Sequence, residues 1–250
     1  MGEFVNYSME KNKRPKVMVN ILNMGEIRAG TETDMIRWMR EYSDRYEFEF
    51  FLPSARPIPN NRNQIVTRFL KGDWDYLFML DDDNYPIKNP FRLLEHDKPV
   101  VGGVYPGRGT MGVHFHVYKF GPDFPKKIFF KHYDPDEREG LRKVDAIATG
   151  CILIKRWVLE KMRSTPGYEA PFEDLFNENG ELITNDDMAF CIKCHELGID
   201  VWADWDLLCD HFKTVSLLEM IKFIQMAAES GIAKLSFSEE EIKKNRLRRK

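Results

Sequence analysis

The sequence predicts an α/β chain: a single Rossmann-like domain with a central, mostly parallel sheet flanked by helices. Three observations predict it. The first third alternates short apolar runs with helical periodicities, the pattern of strands joined by crossover helices. The runs Lys16–Leu22 (KVMVNIL) and Tyr76–Leu80 (YLFML) are continuously apolar, as strands buried on both faces are. Of 250 residues, 43% are apolar and 31% charged, which supplies one large core and excludes a disordered chain.

Residues 1–14 read as a flexible polar arm, 15–214 as the folded domain, and 215–250 as a C-terminal helix and basic tail. After the first strand, 23–30 reads as a loop. Thr31 or Thr33 is positioned to cap a helix with Met35, Trp38, Met39 and Tyr42 on its apolar face. Glu47–Leu52 reads as a second strand. Pro53, Pro57 and Pro59 mark a turn-rich connection, and a helix over Gln64–Lys71 stops at Gly72. The strand Tyr76–Leu80 then ends abruptly at Asp81-Asp82-Asp83-Asn84. In open α/β sheets, ligands bind beyond the carboxyl ends of the strands.

The middle is richer in β. Pro99–Val104, Val113–Phe120, Lys127–Lys131 and Val144–Ile154 read as strands, followed by a helix over Arg156–Met162. Ser164–Gly180 is loop-like. Thr184 or Asn185 caps a helix to Leu197, stopped by Gly198, with a strand at Ile199–Trp202 and an amphipathic helix at Val215–Glu229.

The net charge of −3 argues against a dedicated nucleic-acid coat protein. No apolar window is long enough for a membrane span, and the first residues lack a secretion signal. Four cysteines are too few for a disulfide scaffold, so a reducing cytoplasm is the expected compartment.

Five constellations carry possible chemistry. Three adjacent carboxylates at Asp81–Asp83 repel one another and suit a hard divalent cation, Mg²⁺ or Mn²⁺; an acidic turn opening a helix at Pro86–Leu94 is the alternative. Asp186 and Asp187 open a helix, where ordinary capping explains them as well as a general-base carboxylate does. His211, in Cys209-Asp210-His211, is a candidate imidazole ligand. Cys191, Cys194 and His195 match the haem-attachment pattern literally, and Cys191, Cys194, Cys209 and His211 make a conceivable zinc set. The helical spacing of Cys191 and Cys194 with Met188 and Leu197 reads instead as small buried hydrophobes. His114 and His116 alternate on one face of a strand, a spacing that a metal also accepts.

With these residues in order, the chain resembles the GT-A-fold nucleotide-diphospho-sugar transferases, particularly family 2-like glycosyltransferases. The resemblance runs from about Lys16 to Thr214. It rests on Ile58–Asn63 ending in Arg62-Asn63, on Tyr76–Pro86 with its Asp-x-Asp pair Asp81 and Asp83, and on Pro99–Arg108. It rests also on Val144–Arg156, on Asp186-Asp187 followed by Phe190-Cys191, and on the late His211. It departs from the family at Asp186, where Glu is frequent, and at Asp210-His211-Phe212, where Gly-His and a small residue are frequent.

The resemblance implies a metal-dependent, inverting glycosyltransferase with a nucleoside-diphosphate sugar, a UDP-sugar first among them, as donor. Asp83 and His211 would hold Mn²⁺ or Mg²⁺, with Asp81 on the donor ribose or at the metal and Asp82 beside them. Arg62 would approach the nucleotide or diphosphate and Asn23 the base. Thr149 and Gly150 would lie at the donor sugar, and Asp187 would be the general base. An acceptor glycan, lipid-linked sugar, protein or modified nucleic acid is compatible, including hydroxylated bases of DNA. The basic residues Lys243, Lys244, Arg246, Arg248, Arg249 and Lys250 suit a phosphate or anionic surface, or simply a solvated helix end. A non-catalytic sugar-nucleotide binder and a zinc-binding interaction protein are the readings of another class.

Overall fold

The structure is a computed structural model and describes residues 14–23, 30–54, 57–109, 112–213, 222 and 226. Contacts divide the chain into a unit ending at Phe212 and a second unit from Lys213. The polar arm, the basic tail and nearly all of the expected helix over 215–229 lie outside the described residues.

The elements of the first unit follow in order: β1 (Lys16–Leu22), α1 (Thr31–Tyr42), β2 (Glu47–Phe51), α2 (Ile58–Lys71), β3 (Tyr76–Asp81), β4 (Asn84–Pro86), β5 (Val100–Val104), β6 (Pro106–Gly109), β7 (Gly112–Phe115), β8 (Val117–Phe120), β9 (Phe130–His132), β10 (Leu141–Val144), β11 (Ala146–Ile147), β12 (Cys151–Lys155), α3 (Arg156–Ser164), β13 (Leu175–Phe176), β14 (Leu182–Thr184), α4 (Asp186–Glu196) and β15 (Val201–His211). The main sheet has the order β10-β15-β5-β12-β3-β1-β2, with β4 on β15. Strands β2, β1, β3, β5 and β15 run one way, and β12, β10 and β4 oppose them. The sheet is therefore mostly parallel, and the fold is a Rossmann-like α/β architecture.

The core follows from the apolar runs. Val17 to Ile21 of β1 and Leu77 to Leu80 of β3 are buried at the sheet centre, Asn20 among them. Helices α1, α2 and α3 bury Met35, Trp38 and Tyr42; Ile65, Val66 and Phe69; and Val158, Leu159 and Met162. Each set repeats at three- and four-residue spacing, so it forms one helix face.

Several expectations shift. Helix α1 is N-capped by Gly30 rather than by a threonine side chain; Thr31 turns inward and is buried. Helix α2 begins at Ile58, six residues before the expected Gln64, with Pro59 in its first turn. A proline there forfeits no intrahelical bond, so it opens a helix as readily as it marks a turn. The stretch Val144–Ile154 is not one strand. It divides into the end of β10, then β11, then β12, with a break at Ala148–Gly150. Val113–Phe120 also divides, at His116. The loop Ser164–Gly180 leads into the hairpin β13–β14, and Pro86–Leu94 gives β4 and a 3-10 turn over Pro90–His96 rather than an α-helix.

The last strand matters most for the site. Expected at Ile199–Trp202, it runs to His211. Its register on β5 slips between Asp204 and Leu208. Beyond that slip it pairs with β4, His211 opposite Asn84. The Phe212 amide closes the contact by donating to the Asp83 carbonyl at 2.8 Å. A residue 128 positions downstream of Asp83 is thereby placed against it.

Candidate active site

Three chain segments meet beyond the carboxyl end of β3: the acids after it, the start of α4, and the end of β15. Arg62 joins the first two. It is 3% exposed, and its guanidinium reaches three carboxylates. Nη1 donates to Asp186 Oδ2 at 2.6 Å and to Asp187 Oδ1 at 2.5 Å, and Nη2 to both oxygens of Asp81 at 3.0 and 3.1 Å. Burial opposes the charge of Arg62, and the carboxylates outweigh burial and keep it a cation. Asp81 rises to about 6 because burial penalises its charge more than Arg62 relieves it. Asp186 rises for the same first reason.

Arg62, expected at the nucleotide or diphosphate, has both terminal nitrogens on protein carboxylates. Its neighbour Asn63 is a clamp: the side chain brackets the backbone of Phe172, accepting from its amide at 3.1 Å and donating to its carbonyl. Asp81, expected on the donor ribose or at the metal, has both carboxylate oxygens on Arg62.

Asp187 is held from two sides. Besides Arg62, the buried Thr149 hydroxyl donates to its Oδ1. Asn185 caps α4 by accepting from the Met188 amide at 3.4 Å, and the Asp186 amide donates to Asp174 Oδ1 at 3.0 Å. Thr149 therefore orients Asp187, where a contact to the donor sugar was expected. Gly150 also serves the protein itself. A Cβ there would lie 2.3 Å from Asn84 Nδ2 and 2.7 Å from the Tyr105 hydroxyl. The close approach that glycine permits is to Asn84 and Tyr105, whose hydroxyl accepts from the Gly150 amide at 3.0 Å.

Asp83 and His211 form the other pair. His211 Nδ1 lies 2.7 Å from the Pro106 carbonyl oxygen. A carbonyl only accepts, so Nδ1 carries a proton, and in the neutral ring Nε2 is the nitrogen left with a lone pair. Nε2 stands 3.4 Å from Asp83 Oδ2. A lone pair facing a carboxylate is stabilised by a cation or a proton between them. Two ligands on an octahedral divalent ion, each about 2.1 Å from it, stand about 3 Å apart, so the pair fits one edge of such a site. Among the described residues, no three His, Cys, Asp or Glu side chains form a group that could hold an ion by themselves. Mg²⁺ is commonly bound by one or two protein ligands plus substrate phosphates, and this donor set has that character.

The remaining residues are placed as follows. Asn23, at the end of β1, is buried and donates to the Pro53 carbonyl from its amide and, at 3.1 Å, from its side chain. Asp82 is half-buried in the turn after β3, its amide on the Leu22 carbonyl at 3.0 Å. Cys191 and Cys194 are buried within α4, and the zinc set with Cys209 and His211 is not assembled. Burial raises the Cys191 thiol to about 12. Sequence reasoning gave no role to Tyr105, Tyr118 or Asn84, although Asn84 closes the acidic run and Tyr105 lies within Pro99–Arg108. His116 was noticed only as a partner of His114.

No family model matches the chain, and no curated protein does. Among solved structures it is similar to A197 from STIV, at 22% identity over 80% of this chain and 86% of that one, with a TM-score of 0.48. It is also similar to the inositol-1-phosphate CTP transferase from T. maritima, at 9% identity over 86% and 96% of the chains and a TM-score of 0.39. A third is the 4-diphosphocytidyl-2C-methyl-D-erythritol synthase from Anaerococcus prevotii, at 12% identity over 85% and 99% and a TM-score of 0.39. No helix among the described residues is long and apolar enough to cross a membrane.

Proposed function

We propose that the chain is a metal-dependent, inverting glycosyltransferase that moves a sugar from a nucleoside-diphosphate donor, a UDP-sugar, to an acceptor hydroxyl. One observation carries the reading. Asp83 and Nε2 of His211 face each other at a strand end, beside an Asp187 carboxylate fixed by Arg62 and Thr149. The first pair suits a Mn²⁺ or Mg²⁺ ion, which when bound neutralises the charge developing on the leaving diphosphate.

The chain's own groups do the rest. Pro106 fixes the His211 tautomer so that Nε2 points at Asp83. Asp187 accepts the proton of the acceptor hydroxyl as its oxygen attacks the anomeric carbon from the face opposite the diphosphate. Arg62 and Thr149 hold Oδ1, which leaves proton acceptance to Oδ2. Asn23 and the turn at Asp82 line the donor end of the same strand edge. The acceptor class includes glycan, lipid-linked sugar, protein and modified nucleic acid.

A thermal-shift screen of UDP-, GDP-, CDP- and dTDP-sugars with and without Mn²⁺ tests the reading, because a ligand of the native state raises apparent stability. A shift that needs both nucleotide and Mn²⁺ supports it. A chain indifferent to every nucleotide sugar refutes it.

A further inference from the structure

A row of polar rings leads away from His211. The Tyr105 ring lies 5.1 Å from that of His211 and 5.2 Å from that of His116, centroid to centroid. His116 occupies space that Gly107 leaves open: a Cβ at Gly107 would stand 2.0 Å from His116 Nε2. Its Nδ1 is 2.9 Å from the Tyr118 hydroxyl. The row continues with His114, 5.1 Å from His116 and 4.6 Å from His132, and Tyr118 packs 5.1 Å from His132. The row comes next to the proposed base through Tyr105, whose hydroxyl accepts from the Gly150 amide at 3.0 Å beside the Thr149 that donates to Asp187. Burial pushes the Tyr118 hydroxyl up to about 12 and keeps it a neutral donor.

The chemistry of this row is selective. His114, His116 and Tyr118 are partly exposed and His132 is exposed, while Tyr105 is buried, and each couples a flat ring face with a hydrogen-bonding edge. A pyranose needs both: C–H groups on its face and hydroxyls around its rim. A lipid alcohol offers a single hydroxyl and would use few of these edges. A polyanion needs cations, and Lys119 on the same strand is already neutralised by both Glu137 oxygens at 2.6 Å.

We propose that His114, His116, Tyr118 and His132 form the acceptor subsite, and that the acceptor is a carbohydrate laid along this row with one hydroxyl directed at Asp187. The assignment rests on the transfer reading. In the step it serves, the acceptor oxygen bonds to the anomeric carbon and its proton passes to Asp187. The bond from that carbon to the diphosphate breaks, and the diphosphate leaves with the electron pair.

The test uses the full chain, UDP and Mn²⁺, on an immobilised oligosaccharide array, with a single-stranded oligodeoxynucleotide and anionic phospholipid vesicles as further probes. The wild type retains a subset of oligosaccharides with little salt dependence. Tyr118→Ala and Gly107→Ala weaken that binding at least tenfold while the UDP-induced thermal shift persists, and Tyr118→Phe and His116→Asn weaken it by less. The retained thermal shift also shows that the variants fold. An array on which the wild type retains nothing overturns the assignment, as does binding unchanged in all four variants. Retention of the oligonucleotide alone, falling steeply with salt, or of the vesicles alone, overturns it too. A wild type with no UDP-induced shift removes the transfer reading first, so the two failures are distinguishable.

Discussion

Arg62 and Asp187 are 125 positions apart, yet Nη1 of the one lies 2.5 Å from Oδ1 of the other. The same guanidinium holds Asp81 at the end of β3 and Asp186 at the start of α4. Arg62 thereby fixes the distance between the acid cluster and the proposed base. Its remaining nitrogen, Nε, is buried without a partner, so the site carries a small polar cost.

Replacing Arg62 should show how much depends on it. Arg62→Met leaves three carboxylates converging in a buried space, and breaking a buried pair of this kind costs about 3–5 kcal/mol. Chemical denaturation at pH 7 should show a loss of this size, smaller at pH 5 where the carboxylates take up protons. Arg62→Lys should recover only part of it, because one ammonium cannot reproduce the fork that spans Asp81 and Asp187. A stability unchanged in Arg62→Met would remove the hub.

Asp81 gives the pH dependence. Its folded pKa of about 6 lies above the ~3.9 of an unfolded aspartate. The folded chain therefore binds more protons than the unfolded chain between about pH 4 and 6. The contribution of this group is fully present below pH 4 and is lost as the pH rises through 6, on the order of 1–3 kcal/mol in all. Wild-type stability should fall across that window relative to Asp81→Asn. A constant difference between the two from pH 4 to 7 would assign the titration elsewhere.

Gly150→Ala should destabilise by about 1–3 kcal/mol, the range for overpacking a close-packed site. The added Cβ meets the Asn84 side chain first. Asn84→Ala in the same chain should therefore restore part of the loss, a non-additivity that thermal or chemical unfolding of the four-member cycle reads directly. Strict additivity would mean that the contact is relieved by some other shift.

Asp187→Asn should lower sugar transfer by about 10²–10⁴-fold, the usual worth of a positioned general base, with donor affinity retained. Thr149→Val, which removes one of the two contacts on Oδ1, should lower turnover by less and leave donor affinity unchanged. Turnover in Asp187→Asn equal to wild type would strike Asp187 from the mechanism.

Much of the scaffold was legible because its signals are local. The apolar runs at Lys16 and Tyr76 can only be buried strands, and Asn185 before two acids is a helix start. Asp83, His211 and Asp187 stood out as chemically loaded residues at element ends. What was not legible depends on distant chain. That Arg62 faces acids on another segment leaves no local pattern. The slip that extends β15 to His211 is set by β4 and β5, not by the strand's own sequence. Thr149 and Gly150, expected at the sugar from the family resemblance, lie where Val144–Ile154 is interrupted. The break lets Thr149 reach Asp187 and the Gly150 backbone meet Tyr105.

On the proposed function, Asp83 and His211 hold a divalent cation that couples to a nucleoside diphosphate. Calorimetric titration of UDP with and without Mn²⁺, on the wild type and on Asp83→Ala and His211→Ala, tests it most directly. Mn²⁺ should tighten UDP binding by about tenfold or more, ~1.4 kcal/mol, in the wild type, and that coupling should vanish in both variants. Equal UDP affinity with and without Mn²⁺ in the wild type, or coupling preserved in both variants, would contradict it.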